Sequence, residues 1–246
     1  MWQSDPVPKV KDVPTGEPST QQRIHLAALR LFSRKGYAAT GMRELAEEAG
    51  LVPASLYNHI GSKDDLLLRI MRDGNDRLAA AAGAALAEVT RPEVRLARLA
   101  EVHVFVHASF RQECRVIDAE FAQLSGASRD HVLAQRDAYE SLWRDALRDG
   151  SDAGVLRVEV PRVTRLALLS MCTGVAHWFR PEGPNDAFEI SLAHVDLTLA
   201  ATHATARRRL IRAADLPMLD RAWLDAALPD QPDRTRTFGM ADAERP

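Results

Sequence analysis

Apolar residues recur with a helical period along almost the whole chain. Ile24, Ala27, Ala28, Leu31 and Phe32 fall at i, i+3, i+4, i+7 and i+8, which predicts an amphipathic helix with one apolar stripe. Ser19-Thr20-Gln21-Gln22 ahead of it fits a capping box, in which hydroxyl and amide satisfy backbone N–H groups at a helix start, and Gly36 ends the element. Met42, Leu45, Ala46 and Ala49 repeat the spacing in a short second helix, with Thr40 as its N-cap and Gly50 as the glycine that closes it. Pro53 then stands where proline is best tolerated, at the first position of a third helix running over 54–60, and Gly61 breaks it.

Ser62-Lys63-Asp64-Asp65 opens a fourth helix with acidic residues in its positive first turn. Its pattern persists to Glu88, roughly 40 Å at 1.5 Å per residue, enough to connect two domains. Further helices are expected over 92–111, 114–124, 128–149 and 161–179, the third of these ending at Gly150. After the Pro181-Glu182-Gly183-Pro184 loop, Asn185 caps a last long helix that runs into Arg207-Arg208-Arg209. No useful stretch alternates with period two, so the predicted fold class is all-α. Pro6, Pro8, Pro14 and Pro18 mark residues 1–18 as a mobile arm. The expected organisation is this arm, a small three-helix unit over 19–65, a larger helical domain over 66–212, and a tail over 213–246.

Charge adds a local feature to this plan. The 246 residues carry 32 Lys+Arg against 34 Asp+Glu, a net charge of -2, so no global positive field draws the molecule to nucleic acid or an anionic membrane. Residues 19–63, however, hold six basic side chains (Arg23, Arg30, Arg34, Lys35, Arg43, Lys63) against three acidic ones (Glu44, Glu47, Glu48). A small basic face on a near-neutral body is where a sequence-specific DNA reader would be found. Two cysteines, Cys114 and Cys172, are too few for a disulfide framework or a zinc site and read as buried apolar groups in a reducing cytoplasm. No stretch has signal-peptide character or approaches eighteen uncharged apolar residues, so neither export nor a membrane span is expected. The absence of a G-x-S-x-G elbow, a G-x-x-x-x-G-K loop or an H-E-x-x-H pair leaves nothing to support an enzyme or a cofactor. His103 and His107 have metal-ligand spacing but no third ligand nearby in sequence, so helix packing is the preferred reading and no metal is expected.

Three helices between Ser19 and Ile60, with a glycine turn between a short second and a short third, form the layout of a helix-turn-helix whose third helix enters the major groove. The segments Thr40-Gly41-Met42-Arg43-Glu44-Leu45-Ala46-Glu47-Glu48-Ala49-Gly50-Leu51 and Ala54-Ser55-Leu56-Tyr57-Asn58-His59-Ile60-Gly61-Ser62-Lys63-Asp64-Asp65-Leu66-Leu67 resemble the signature of the TetR family of bacterial transcriptional regulators. The resemblance implies an N-terminal reader, a long fourth helix and an all-α ligand-binding domain that dimerises. It places Thr40, Tyr57, His59 and Lys63 on phosphates and Pro53, Ala54, Ser55 and Asn58 at base edges, with Arg43 reaching the backbone or a groove edge. Two positions depart from the family pattern: Val52 stands where a serine or threonine cap is usual, and Ile60 replaces an aromatic.

The larger domain concentrates aromatic residues, of which Phe105, Phe110, Phe121, Trp143 and Trp178 are candidates to line a pocket for an apolar effector. Phe105-Val106-His107-Ala108-Ser109-Phe110-Arg111-Gln112-Glu113, Ala119-Glu120-Phe121 and the run from Gly174 through His177-Trp178-Phe179-Arg180 to Gly183 are similar to TetR members governing fatty-acid and steroid breakdown, which respond to acyl-CoA thioesters. That likeness makes Arg111, Arg115 and Arg180 the candidate cations for CoA phosphates. The helices over 161–179 and 185–209 are the expected dimer bundle. The expected function is thus a cytoplasmic, homodimeric repressor, released from a pseudo-palindromic operator in double-stranded DNA by a small hydrophobic effector such as an acyl-CoA thioester. A sensor of a drug-like or aromatic compound is the alternative within the class; a helical adaptor that binds no DNA and an enzyme are disfavoured.

Overall fold

The computed structural model describes residues 18–228, which are helical except for one short hairpin and the connecting turns. The arm expected over 1–18, save Pro18, and the end of the tail from 229 onward lie outside the described residues.

Helix α1 (Thr20–Lys35) starts with the expected capping box: Ser19 Oγ accepts from Gln22 N at 3.2 Å, and Gln22 Oε1 accepts from Ser19 N at 2.8 Å. Helix α2 (Met42–Glu48) is capped by Gly41 and not by Thr40. The Thr40 hydroxyl instead donates to the Gly36 carbonyl at 2.9 Å, which turns its side chain back into the preceding loop. Gly50, at φ +68°, closes α2 with Leu51 N bonded to Ala46 O at 2.8 Å and Gly50 N to Glu47 O at 3.0 Å, the paired bonds of a Schellman motif. Helix α3 (Pro53–Tyr57) stops three residues short of the expected end, because Asn58 and His59 turn off through bonds to Ser55 O and Leu56 O. Leu31, Leu45, Leu56, Ile60 and Leu66 are buried together in a core that unites these helices with the start of α4 (Lys63–Ala85). Ile60 thus fills its place without an aromatic ring.

Helix α4 spans about 35 Å. It ends short of Glu88, where a positive φ of 60° turns the chain toward α5 (Pro92–Ser109). The latter is the axis of the larger domain, buried on every side. Helix α6 (Arg111–Ala119) begins at Arg111, earlier than expected, after a bend at Phe110, and the segment to Leu124 is a 3₁₀ turn. Helix α7 (Gly126–Asp152) runs through Gly150 where a stop was expected. A Cβ at that position would lie 2.3 Å from Leu156 Cδ1, so the glycine makes room for the returning chain and Gly154, at φ +66°, makes the turn.

The single helix expected over 161–179 divides at Gly174 into α8 (Pro161–Thr173) and α9 (Val175–Trp178). Helix α10 (Ala187–Ala201) is capped by Asp186, one residue after the expected Asn185, and ends well before the arginine run. Arg207 and Arg208, at φ 49° and 67°, are the turn of a hairpin between β1 (Thr205–Ala206) and β2 (Arg209–Leu210). The arginines therefore do not sit at the end of α10, and this two-residue-per-strand hairpin is the single sheet element among the described residues of an all-α fold. Within the segment 213–228, helix α11 (Arg221–Ala227) packs Trp223 and Leu224 into a cluster with Val102, Phe105 and Phe110. Arg98 fixes the approach by donating to Pro217 O at 3.0 Å and to Ala85 O at 3.0 Å, and Glu101 accepts from Leu219 N at 3.1 Å.

Candidate DNA-reading surface and effector cavity

The third helix of the reader exposes one face. Leu56 is completely buried while Pro53, Ala54, Tyr57 and Asn58 are exposed, and Ser55 and His59 are half-buried beside them. Arg43 is exposed on α2 and makes no ion pair among the described residues. These side chains form the available surface that the sequence assigned to bases and phosphates. Val52, the N-cap, offers α3 no side-chain hydrogen bond, as its identity required.

Two of the assigned phosphate ligands are placed otherwise. Thr40 is buried with its hydroxyl committed to Gly36 O. Lys63 Nζ donates to Tyr37 O at 2.9 Å and Thr40 O at 2.8 Å, and lies 4.2 Å from the Tyr37 ring centroid. Lys63 therefore ties the α1–α2 loop to the start of α4. The local positive charge is also partly answered from within: Arg30 pairs with Glu48 at 2.5 Å, and Lys35 and Arg34 both face Glu44. Lys35 in turn holds the Glu44 carboxyl below its usual range.

A cavity of about 180 Å³ lies among α4, α5, α6, α7 and α8. His103 and His107 stack along one wall with ring centroids 4.1 Å apart. His103 engages both nitrogens, Nδ1 with Tyr139 Oη and Nε2 with Thr173 Oγ1, each at 3.0 Å. His107 Nδ1 donates to His103 O at 2.8 Å, leaving Nε2 as an acceptor. Burial holds both imidazoles neutral, pushing His107 down to about 4 and His103 well below its ordinary value. Asn75 and Gln135 complete a polar wall, while Leu78, Val106 and Ile117 supply apolar surface. A more open cleft continues from Glu140, Leu169 and Thr173 toward Leu166, Ser170 and His177.

None of the eight residues assigned to the effector lines this cavity. Phe105 and Phe110 are core beneath α11, and Trp143 is fully buried behind His103. Phe121 packs under Arg129 and Arg136, and Trp178 is half-exposed, stacked on His194. Arg111 and Arg180 do converge: both donate to the Phe179 carbonyl, at 3.0 and 3.2 Å. Arg115, one turn beyond Arg111, is exposed. Sequence reasoning missed Asn75, Gln135 and Tyr139, and read the histidine pair as packing alone. The available signal was the run of polar groups, Arg98, Glu101, His103 and His107, on an otherwise apolar helix.

Helix α6 stands between cavity and reader. Cys114, Ile117 and Asp118 face the cavity. From the same helix and its C-cap, Gln112 Nε2 donates to Ser33 Oγ at 2.8 Å, and Glu120 Oε1 accepts from Tyr37 N at 3.0 Å. Buried Glu113 pairs with Arg77 of α4 and stands 3.4 Å from His25 Nε2 of α1.

This architecture has known counterparts. Residues 24–70 match the family of bacterial regulatory proteins, tetR family, and residues 89–202 match the tetracyclin repressor-like C-terminal domain. The TetR-family transcriptional regulator PfmR from Thermus thermophilus is 35% identical, with 75% of this chain and all of that one aligned at a TM-score of 0.66. This chain belongs to the TetR family. The HTH-type transcriptional repressor KstR2 of Mycolicibacterium smegmatis is 25% identical over 191 residues, 76% of this chain and 93% of that protein. A structure of AibR in complex with isovaleryl coenzyme A and operator DNA aligns with 73% of this chain and 97% of its own at 27% identity and a TM-score of 0.66. The chain is accordingly a helix-turn-helix, DNA-binding transcriptional regulator. Among the described residues no helix is long and apolar enough to cross a membrane.

Proposed function

We propose that the protein is a cytoplasmic, homodimeric repressor, released from a pseudo-palindromic operator when a small effector enters the cavity among α4–α8. The observation that carries this reading is the placement of α6, which faces the cavity with Cys114, Ile117 and Asp118 and holds α1 and its following loop through Gln112, Glu113 and Glu120. An effector that binds better when α6 is displaced would move the reader, and only that differential affinity can drive release. Arg43, Pro53, Ala54, Ser55, Tyr57, Asn58 and His59 are the DNA contacts in this reading, with Thr40 and Lys63 holding the α1–α2 loop.

Dimerisation is supported by an unpartnered apolar face. Val163 and Leu166 on α8 and Leu197 on α10 are all more than 40% exposed, with Ala167, Ala193 and Ala200 exposed beside them. Joining two such faces across a two-fold axis builds a four-helix interface and pairs the reading heads.

The effector's buried part is small. An engineered cavity of about 150 Å³ holds benzene, so 180 Å³ suits a short acyl chain or a single ring. A short acyl-CoA thioester fits this size, with its CoA portion outside the cavity and Arg111, Arg115 and Arg180 as the candidate cations for its phosphates. The likeness to AibR favours it, and an aromatic compound is the second reading. Gel shift on DNA flanking the gene, with and without short acyl-CoA esters, tests the proposal. Specific retention abolished by a CoA ester supports it. Retention unaffected by any ester or small aromatic would refute effector release, and a Leu166→Glu/Leu197→Glu variant that remains dimeric in sedimentation would refute the interface.

A further inference from the structure

We infer that the group taken into the cavity bears a hydroxyl and is not a plain hydrocarbon or an ionised acid. This rests on the cavity being the effector site, and it adds the chemistry of what enters. Gln135 donates from Nε2 to Asp76 Oδ1 at 2.6 Å, which fixes its amide so that Oε1 is turned away from that partner. Gln135 Oε1 and Asn75 Nδ2 are both buried without a hydrogen-bond partner, and both residues line the cavity. One is an acceptor lacking a donor and the other a donor lacking an acceptor. His107 supplies a second acceptor, Nε2, because its Nδ1 proton is committed to His103 O.

The charged wall is already compensated. Arg136 donates to Ile117 O at 3.3 Å, has Asp118 at 4.0 Å, and lies over the Phe121 ring at 4.3 Å. A carboxylate would therefore meet no unanswered cation, and it has no proton to give Gln135 or His107. A hydrocarbon would leave all three groups unmatched, which disfavours its binding. A hydroxyl donates once, to Gln135 Oε1 or His107 Nε2, and accepts from Asn75 Nδ2. It is the smallest uncharged group that satisfies both kinds of site. Within about 180 Å³ this describes a short hydroxyacyl chain or a phenol.

Calorimetric titration of the full-length dimer with two matched pairs tests the inference: butyryl-CoA against 3-hydroxybutyryl-CoA, and toluene against 4-methylphenol. The hydroxylated member of at least one pair is expected to bind about tenfold or more tightly. Asn75→Leu and Gln135→Leu, which keep side-chain volume, should each reduce that preference to about twofold or less while the non-hydroxylated partner keeps its affinity. A preference seen only with the phenol pair upholds the hydroxyl and overturns the CoA thioester reading. Equal affinity within every pair that binds overturns the hydroxyl alone. No binding by any of the four overturns it together with the cavity as effector site. A preference that survives both leucine variants, shown to be folded by an unchanged melting transition, also overturns it.

Discussion

Replacing Glu113 by glutamine strikes the joint between sensing domain and reader while leaving its shape intact. The side chain is 3% exposed, against about a quarter for its partners Arg77 and His25. Breaking a fully buried ion pair by removing one partner costs about 3–5 kcal/mol. Here Arg77 keeps some solvent and its place 4.2 Å from the Phe110 ring centroid, and the amide oxygen still accepts a hydrogen bond. The expected loss for E113Q is therefore about 1.5–3 kcal/mol, measured by urea unfolding near pH 7. The pH dependence supplies a second reading. Burial pushes the Glu113 carboxyl up, but His25 and Arg77 outweigh it and hold the group below its ordinary 4.5. Its contribution is fully present above about 4.5 and is lost as pH falls through the lowered folded value. Glutamine does not titrate, so the gap between wild type and E113Q should narrow on acidification. A gap below about 0.5 kcal/mol near neutrality, or one that stays constant into acid, would refute the buried joint.

Other substitutions probe other levels of the structure. Asn58→Ala, on an exposed reader position, should weaken operator binding by about 1–3 kcal/mol in gel shift with little change in melting temperature. Val52→Ser should stabilise the reader by about 1 kcal/mol in thermal unfolding, because the extended backbone at position 52 suits an N-cap whose hydrogen bond valine cannot make. Arg208→Gly should add about 0.5–1 kcal/mol, since φ is 67° in this two-residue turn; unchanged or lower stability would refute the strained turn. Burial raises Glu101 to about 8, so the folded form keeps a proton that the unfolded chain releases near 4.5. The docked C-terminal segment should weaken as pH rises through that window, seen as falling protection of the amides at residues 219–228 relative to their intrinsic, base-catalysed exchange, and Glu101→Gln should flatten the trend.

The reader was legible because its determinants are local. A capping box, a Schellman glycine and a proline at the start of α3 each fix structure within a few residues, and the structure departs from their reading only at Thr40 and at the end of α3. The sensing domain was less so because its determinants are distant. Gly150 looks like a helix stop until Leu156, folded back from the following turn, is seen to occupy the space its Cβ would need. Aromatic content does not point to the cavity, since Trp143 and Phe105 fill core, whereas the cavity owes its character to amides and imidazoles contributed by separate helices. The arginine run pointed to a helix end, but the chain had already left α10 at Ala201.

The reach from Arg98 to Pro217 spans 119 positions, and it makes time a variable in this fold. The guanidinium can find the Ala85 carbonyl as soon as α5 forms, yet its bonds to Pro217 must wait until the 119 positions between them have been made. At about 5–20 residues per second that interval is on the order of ten seconds. Throughout it Phe105 and Phe110 lack the cover of Trp223 and Leu224, so the nascent larger domain carries an open apolar cleft that α11 closes. A chain cut short before Leu219 would keep that cleft for its lifetime, and would be sorted by the cell as an aggregation-prone protein while its DNA-reading unit remained intact.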